Sequence, residues 1–169
     1  MSTTEANREK IRAAVSLIPG LHLRLLQRVI GLSFNSTRYH VGALSKNGEI
    51  IRDDKAGYSR LYPVGTTDSE KAIYSAMRNK TDRLVLTTLL KEVKVSRRQL
   101  GERTGLAKST MSEHISKLVR AGIVIELALD TNRLELVLTD PLAIKKIVDS
   151  QNQTFLREAT DRFIDLWEF

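Results

Sequence analysis

Two stretches of the sequence decide the fold: GLHLRLLQRVIGLSFNSTRYHVGALSKNGEII (residues 20–51) and GLAKSTMSEHISKLVRAGIV (residues 105–124). A shift of 74 residues aligns the first stretch, without a gap, with a region that contains the second. The identities are Arg24 with Arg98, Leu26 with Leu100, Gly31 with Gly105, Leu32 with Leu106, His40 with His114, Leu44 with Leu118 and Gly48 with Gly122. This internal repeat predicts one structural unit used twice.

Hydrophobic spacing in the first copy predicts three helices. Apolar residues three and four positions apart predict a helix that ends at Pro19–Gly20, followed by a second helix over about residues 21–29. Gly31 supplies a turn, and Ser33 caps a third helix. The predicted core positions are Ile11, Ala14, Val15, Ile18, Leu23, Leu26, Val29 or Ile30, Thr37, Val41 and Leu44.

A β-hairpin follows these helices. Ile50–Ile51 and Leu61–Pro63 flank a polar loop, which predicts two short strands. Helix, helix, turn, helix and hairpin make a winged helix. The second copy repeats this order. Its first helix carries Leu84, Leu86, Leu89 and Leu90, and a capping box at Ser96 and Gln99 opens the next helix. A turn at Gly105 precedes a third helix with the inner stripe Met111, Ile115 and Leu118, and two strands, 123–129 and 133–138, flank a turn at Asp130–Asn132.

The sequence therefore predicts a mainly α fold with small β-wings. We expect a winged helix-turn-helix domain over residues 1–65, a linker helix over 66–80 and a second winged helix-turn-helix domain over 81–140. We expect a C-terminal helical association segment over 141–169. Its amphipathic apolar stripe favours intramolecular packing or a dimer seam over a ligand pocket.

Charge favours a polyanionic partner. The chain has 27 Lys and Arg against 20 Asp and Glu, a net charge of +7. The net charge is +5 over residues 1–65, +3 over 66–140 and −1 over 141–169, so the positive field belongs to the two winged units.

Other functional classes lack their sequence features. With no Cys and three scattered His, the chain offers no disulfide, no thiolate zinc site and no local metal-ligand pair. Neither a phosphate-binding glycine loop nor a hydrolase motif is present, so we expect no enzyme and no cofactor. No apolar run is long enough to span a bilayer, and the N-terminal sequence lacks the apolar core of a signal peptide, so we expect an intracellular, cytoplasmic protein with no membrane partner. We further expect it to be associated with the nucleoid.

The two quoted stretches resemble the first and second winged helices of archaeal tandem winged helix-turn-helix regulators, which are related to the ArsR and MarR families. The resemblance covers nearly the whole chain, including a C-terminal segment ending in DRFIDLWEF. It implies a transcriptional regulator that binds double-stranded DNA. We expect a homodimer from the apolar C-terminal segment, because a dimer fits palindromic half-sites. Contact with the transcription machinery is a further expectation.

The chemistry of base reading points to the third helix of each copy, because a helix in the major groove meets distinct donor and acceptor patterns. The predicted DNA-binding residues are Asn35, Ser36, Arg38, Tyr39 and His40 in the first copy, Lys108, Ser109, Thr110, Ser112, His114 and Lys117 in the second, and Arg52, Lys55 and Arg60 in the first wing. The second wing is acidic, so only the first is expected to contact phosphate.

Several of these residues have a second interpretation. His40 and His114 fit helix packing as well as backbone contact. Arg24, Arg28, Arg97 and Arg98 fit either phosphate contact or ordinary solvation. The chain as a whole also fits a tandem winged-helix scaffold that binds proteins in a transcription or chromosome-condensation complex, although basic third helices favour DNA.

Overall fold

The structure is a computed structural model that describes residues 3–54, 59–130 and 133–152. The chain folds into two compact units, a first that includes the residues up to Thr67 and a second over Asp68–Ser150, and each has its own hydrophobic core. The first unit contains α1 (Thr3–Leu17), β1 (Leu21–His22), α2 (Leu23–Ile30), α3 (Phe34–Lys46), β2 (Ile50–Asp53) and β3 (Arg60–Pro63). The second contains α4 (Asp68–Arg78), α5 (Lys80–Glu92), β4 (Val95–Ser96), α6 (Arg97–Thr104), α7 (Lys108–Arg120), β5 (Val124–Asp130), β6 (Arg133–Leu138) and α8 (Pro141–Asn152).

The helices of the first unit begin and end at the predicted signals. Gly31 adopts the left-handed conformation at the end of α2, with φ 67°. Ser33 caps α3 by accepting a hydrogen bond from the backbone N–H of Ser36 at 3.1 Å. The predicted inner stripe of α3 is buried. The predicted turn, cap and inner stripe are therefore confirmed. The turn and the cap depend on local backbone geometry rather than on distant contacts.

A three-stranded antiparallel sheet in the order β1-β3-β2 closes the first unit. Leu21 pairs with Leu61, and Ile51 pairs with Tyr62. The prediction that the second helix starts at Leu21 was wrong. Leu21 is a buried strand residue, and α2 starts at Leu23 with His22 as its cap.

The second unit repeats the first element by element. The strand β4 and the helices α6 and α7 begin and end 74 residues after β1, α2 and α3. Gly105 takes the same left-handed conformation as Gly31, and Ser96 forms the predicted capping box with Gln99. The structure thus confirms the two tandem winged helix-turn-helix units.

Two helices outside the repeat complete the second core. Ile73, Ala76 and Met77 of α4 pack into it, as do Ile144, Ile147 and Val148 of α8. The predicted linker helix and the first part of the predicted association segment therefore pack within the second unit. Residues 153–169, which hold the aromatic end of that segment, lie outside the described residues.

Two predicted details of the second unit differ in the structure. Val85 of α5 is buried and Leu84 is exposed, because the inward face of α5 follows Val85, Leu86 and Leu89. The strand β5 continues to Asp130 with a bulge near its end, so Asp130 belongs to the strand rather than to the turn. The remaining turn residues, 131–132, lie outside the described residues.

Candidate nucleic-acid interface

The outward face of α3 is polar and exposed. Thr37, Val41 and Leu44 anchor the helix to the first core and fix which side points outward. On the outward side, Asn35 and Arg38 are exposed and Ser36 is half-exposed, while 67% of the surface of Tyr39 is accessible. Four of the five predicted contact residues of α3 therefore lie on one accessible face near the start of the helix.

His40 departs from this pattern. Only 6% of its surface is exposed, and its Nδ1 has no hydrogen-bond partner within the described part of the chain. Its ring contacts that of Tyr39 edge to face at a centroid distance of 5.3 Å. This burial favours the helix-packing interpretation of His40 over backbone contact.

The surface around α2 and α3 is positively charged. The sequence has no Asp or Glu between Glu9 and Glu49. Along the helices, the exposed cations are Arg24, Arg28, Arg38 and Lys46. None of these four side chains forms an ion pair within residues 3–54, 59–130 and 133–152. The charge on this face is therefore not neutralised by neighbouring carboxylates.

Arg12 of α1 pairs with two carboxylates outside this stretch, Glu5 and Glu49. Its guanidinium is 2.8 Å from Glu5 and 2.6 Å from Glu49, and these two hydrogen bonds raise the pKa of Arg12. A hydrogen bond from Asn47 and the one from Arg12 lower the pKa of Glu49. The ion pairs of the first unit thus lie beside the helix-turn-helix rather than on it.

Residues of the first wing are partly engaged within the protein. Arg52 is 2.9 Å from Asp54, whose pKa is lowered by hydrogen bonds from Ser59 and then from Arg52. Arg60 donates to the backbone carbonyl of Gly20 at 3.2 Å, which leaves its positive charge uncompensated. Lys55, the third predicted wing contact, lies outside the described residues.

The predicted contact residues of α7 fall into two groups. Lys108 and Ser109 are exposed in its first turn, with Thr110 half-exposed beside them. Ser112 is also half-exposed and accepts a long hydrogen bond, 3.5 Å, from Arg97. His114 and Lys117, further along, both point their polar atoms at Asp82 of α5. Only the first group presents unengaged polar groups to solvent.

Asp82 is the functional candidate that sequence reasoning missed. Its side chain is fully buried, with one carboxylate oxygen 2.5 Å from Nδ1 of His114 and the other 2.6 Å from Nζ of Lys117. An acidic residue in the first turn of a helix is common because it interacts favourably with the helix dipole. The sequence therefore gave no sign that this one lies beneath α7.

The basic residues of α6 are paired with carboxylates. Arg97 contacts Glu126 of β5, Arg98 lies 2.9 Å from Glu102, and Arg103 lies 3.5 Å from Glu92. The second wing adds exposed apolar residues, Ile125, Leu127, Leu129 and Leu134. The second wing therefore has neither the positive charge nor the polar surface that contact with phosphate requires.

Among the described residues, no helix is long and apolar enough to cross a membrane. No cluster of three or more His, Asp or Glu that could hold a metal ion occurs in that part of the chain.

Comparison with known families identifies both units. Residues 5–73 match a family described as an N-terminal HTH domain, and residues 78–125 match one described as winged helix-turn-helix DNA-binding. A solved structure, NolR from Sinorhizobium fredii, is 25% identical, covering 52% of this chain and 85% of NolR, with a TM-score of 0.45. No curated protein matches the chain.

The geometry and the family matches agree. The chain carries two tandem winged helix-turn-helix DNA-binding domains, the architecture of a DNA-binding transcription regulator. The likeness to archaeal, ArsR or MarR regulators stays a prediction.

Proposed function

We propose that this chain regulates transcription by binding specific sequences of double-stranded DNA. The helices α3 and α7 act as reading helices in the major groove, and the first wing approaches the phosphate backbone. The observation that carries the proposal is the face of α3, where exposed Asn35, Arg38 and Tyr39 lie on a cationic surface without carboxylates.

The first unit supplies the chemistry of base reading. Asn can form two hydrogen bonds with adenine, and Arg can do so with guanine. Tyr39 can contact a sugar or a thymine methyl group. Arg24 and Arg28 on α2 extend the cationic surface toward the position of a backbone phosphate. Sequence readout and phosphate attraction thus come from adjacent helices of one unit.

The second unit contributes a weaker version of the same contact. At the start of α7, Lys108 and Ser109 with Thr110 and Ser112 offer a cation and small hydroxyls. The alignment places Ser109, Ser112 and Glu113 where the first unit has Asn35, Arg38 and Tyr39. We therefore assign base discrimination mainly to α3 and auxiliary contacts to α7.

The first wing adds a nonspecific contact. Arg60 keeps a net positive charge because its partner is a carbonyl, whereas the charge of Arg52 is offset by Asp54. Lys55 joins Arg60 in the proposed contact on the strength of its sequence position.

Assembly completes the proposal. We propose a homodimer, because two-fold related proteins match palindromic half-sites. We further propose that it acts at the nucleoid and contacts the transcription machinery. Since the apolar residues of α8 pack within the second unit, we assign the association element to residues 153–169.

Truncation after Asn152, followed by size-exclusion chromatography with light scattering, is expected to give a monomer. An unchanged dimer would refute this assignment.

The experiment that tests the function is selection of duplexes from a random-sequence library by the full-length protein. Fluorescence anisotropy then compares the selected duplex with a scrambled duplex of the same composition. We expect the selected duplex to bind at least about 1,000-fold more tightly, as specific binders do. A protein-binding scaffold would enrich no sequence and would bind both duplexes with equal affinity.

A further inference from the structure

The buried carboxylate of Asp82 connects two helices of the second unit. Asp82 lies in the first turn of α5, and both of its hydrogen-bond partners, His114 and Lys117, lie on α7. A buried carboxylate without partners is strongly destabilising, so an arrangement that satisfies both of its oxygens holds its partners in place. The contact therefore ties α7 to α5.

The first unit lacks this connection. The alignment places Arg8 at the position of Asp82, His40 at that of His114 and Ala43 at that of Lys117. Buried atoms of Arg8 (Nε) and His40 (Nδ1) have no hydrogen-bond partner within the described residues. The helix α3 is thus held by its apolar stripe, whereas α7 is held by an apolar stripe and an ion-paired carboxylate.

We infer that Asp82 is a positioning residue for DNA binding by the second unit, holding α7 in place and keeping Lys117 and His114 off the DNA. This inference rests on the proposed function of α7 as a reading helix. A move of Lys117 to a phosphate would leave the buried carboxylate with His114 alone. DNA contact by α7 then comes from its first turns, around Lys108 and Ser109.

The salt dependence of DNA binding separates a positioning role from phosphate contact. Each phosphate contact adds about 0.9 to the slope of log affinity against log salt concentration. In the full-length protein, titrated against a duplex selected by the unmodified chain, Lys108→Gln is expected to lower this slope by about 0.9. Lys117→Gln is expected to weaken binding several-fold at every salt concentration and to leave the slope unchanged.

Thermal unfolding tests the connection itself. The variant Lys117→Gln removes one partner of the buried carboxylate and is expected to lower the unfolding temperature. Adding Asp82→Asn removes the buried charge that lost one of its two partners, so the double variant is expected to recover part of that decrease. Lys145 and Asp149 form an exposed ion pair on α8, and Lys145→Gln with Asp149→Asn is the matched control, expected to change little.

The outcomes distinguish failure of this inference from failure of the proposed function. If Lys117→Gln lowers the slope as Lys108→Gln does, Lys117 contacts phosphate and the positioning role is overturned, while α7 stays a DNA-binding helix. If Asp82→Asn gives no recovery in the Lys117→Gln background, the positioning role is likewise overturned. If neither Lys variant changes slope or affinity, α7 is not on the DNA, and the proposed function of the second unit falls.

Discussion

The two winged units share their backbone but differ in how their cations are used. In the first, Arg24, Arg28 and Arg38 form no ion pair within the described residues. In the second, Arg97 and Arg98 each contact a carboxylate. A nearby carboxylate offsets the attraction of a cation for phosphate. The repeat therefore preserved a fold while its two copies diverged in electrostatics.

The helices α3 and α7, which we propose as reading helices, differ in the same direction. The positions of Asn35, Arg38 and Tyr39 in α3 are occupied by Ser109, Ser112 and Glu113 in α7. Small hydroxyls and a carboxylate discriminate bases less strongly than Asn and Arg, which can form paired hydrogen bonds. A tandem repeat of this kind can combine one discriminating module with one auxiliary module.

The largest expected effects concern the core positions that the two units share. Leu44 and Leu118 occupy aligned positions in α3 and α7 and are both buried. Replacing either with Ala removes buried methyl groups and leaves a cavity, so we expect a loss of about 2–5 kcal/mol in the free energy of unfolding for each variant. Urea denaturation measures it. A loss below about 1 kcal/mol in one unit alone would show that the repeat does not extend to packing.

A smaller effect distinguishes the reading faces. We expect Arg38→Ala to weaken binding to the selected duplex by about 1–3 kcal/mol, or roughly 5- to 150-fold, and to relax preference at one base pair. The aligned change Ser112→Ala is expected to cost less than threefold. Anisotropy titrations on single-base variants of the duplex provide the measurement. Equal losses for the two variants, or equal losses on selected and scrambled DNA, would contradict the assignment of base reading to α3.

Substitutions at the helix-capping positions are expected to change the free energy of unfolding in opposite directions in the two units. Ser33 caps α3, whereas Ala107 at the same position before α7 has no capping side chain. We expect Ser33→Ala to cost about 1 kcal/mol in the free energy of unfolding and Ala107→Ser to add about 0.5–1 kcal/mol. Thermal unfolding of the two variants checks the signs. Destabilisation by Ala107→Ser would show that the two helix starts are not equivalent.

The smallest effect depends on pH and belongs to the first unit. Hydrogen bonds from Asn47 and Arg12 lower the pKa of Glu49 in the folded protein. Its contribution to stability is therefore present above the unfolded pKa of about 4.3 and is lost as pH falls through the lower folded value. Thermal unfolding between pH 3 and 7 is expected to show that Glu49→Gln destabilises only at the higher pH values.

Glu113 is the matched control for this change, because it is exposed on α7 and forms no ion pair within the described part of the chain. Replacing Glu113 with Gln removes the same charge and is expected to leave the pH dependence of unfolding unaltered. A pH-dependent effect of equal size at Glu113 would attribute the result to net charge rather than to the contacts of Glu49.

The sequence predicted the repeat, its turns and the inward faces of α3 and α7. Gly31, Ser33 and Gly105 act through local backbone geometry, and the inner stripes of α3 and α7 follow from helical periodicity. These features depend on neighbours a few residues away, which is why spacing alone identified them.

Contacts between distant segments could not be predicted in this way. Asp82 lies 32 residues from His114 in sequence, and its burial depends on how α7 crosses α5. Similarly, the amphipathic pattern of α4 showed an apolar face but not which core would cover it. Pairing of Arg97 with Glu126 across 29 residues belongs to the same class. Sequence charge alone therefore overstated the number of cations without a carboxylate partner in the second unit.

We propose that the first unit provides most of the electrostatic attraction to DNA. The most direct test compares two double variants, Arg24→Gln with Arg28→Gln on α2 and Arg98→Gln with Arg103→Gln on α6. Each removes two positive charges, and binding to the selected duplex is measured from 50 to 400 mM salt, a range of about eightfold. We expect the α2 variant to lower the salt slope by nearly two and the α6 variant by less than one. Equal decreases, or a larger decrease for α6, would contradict the claim.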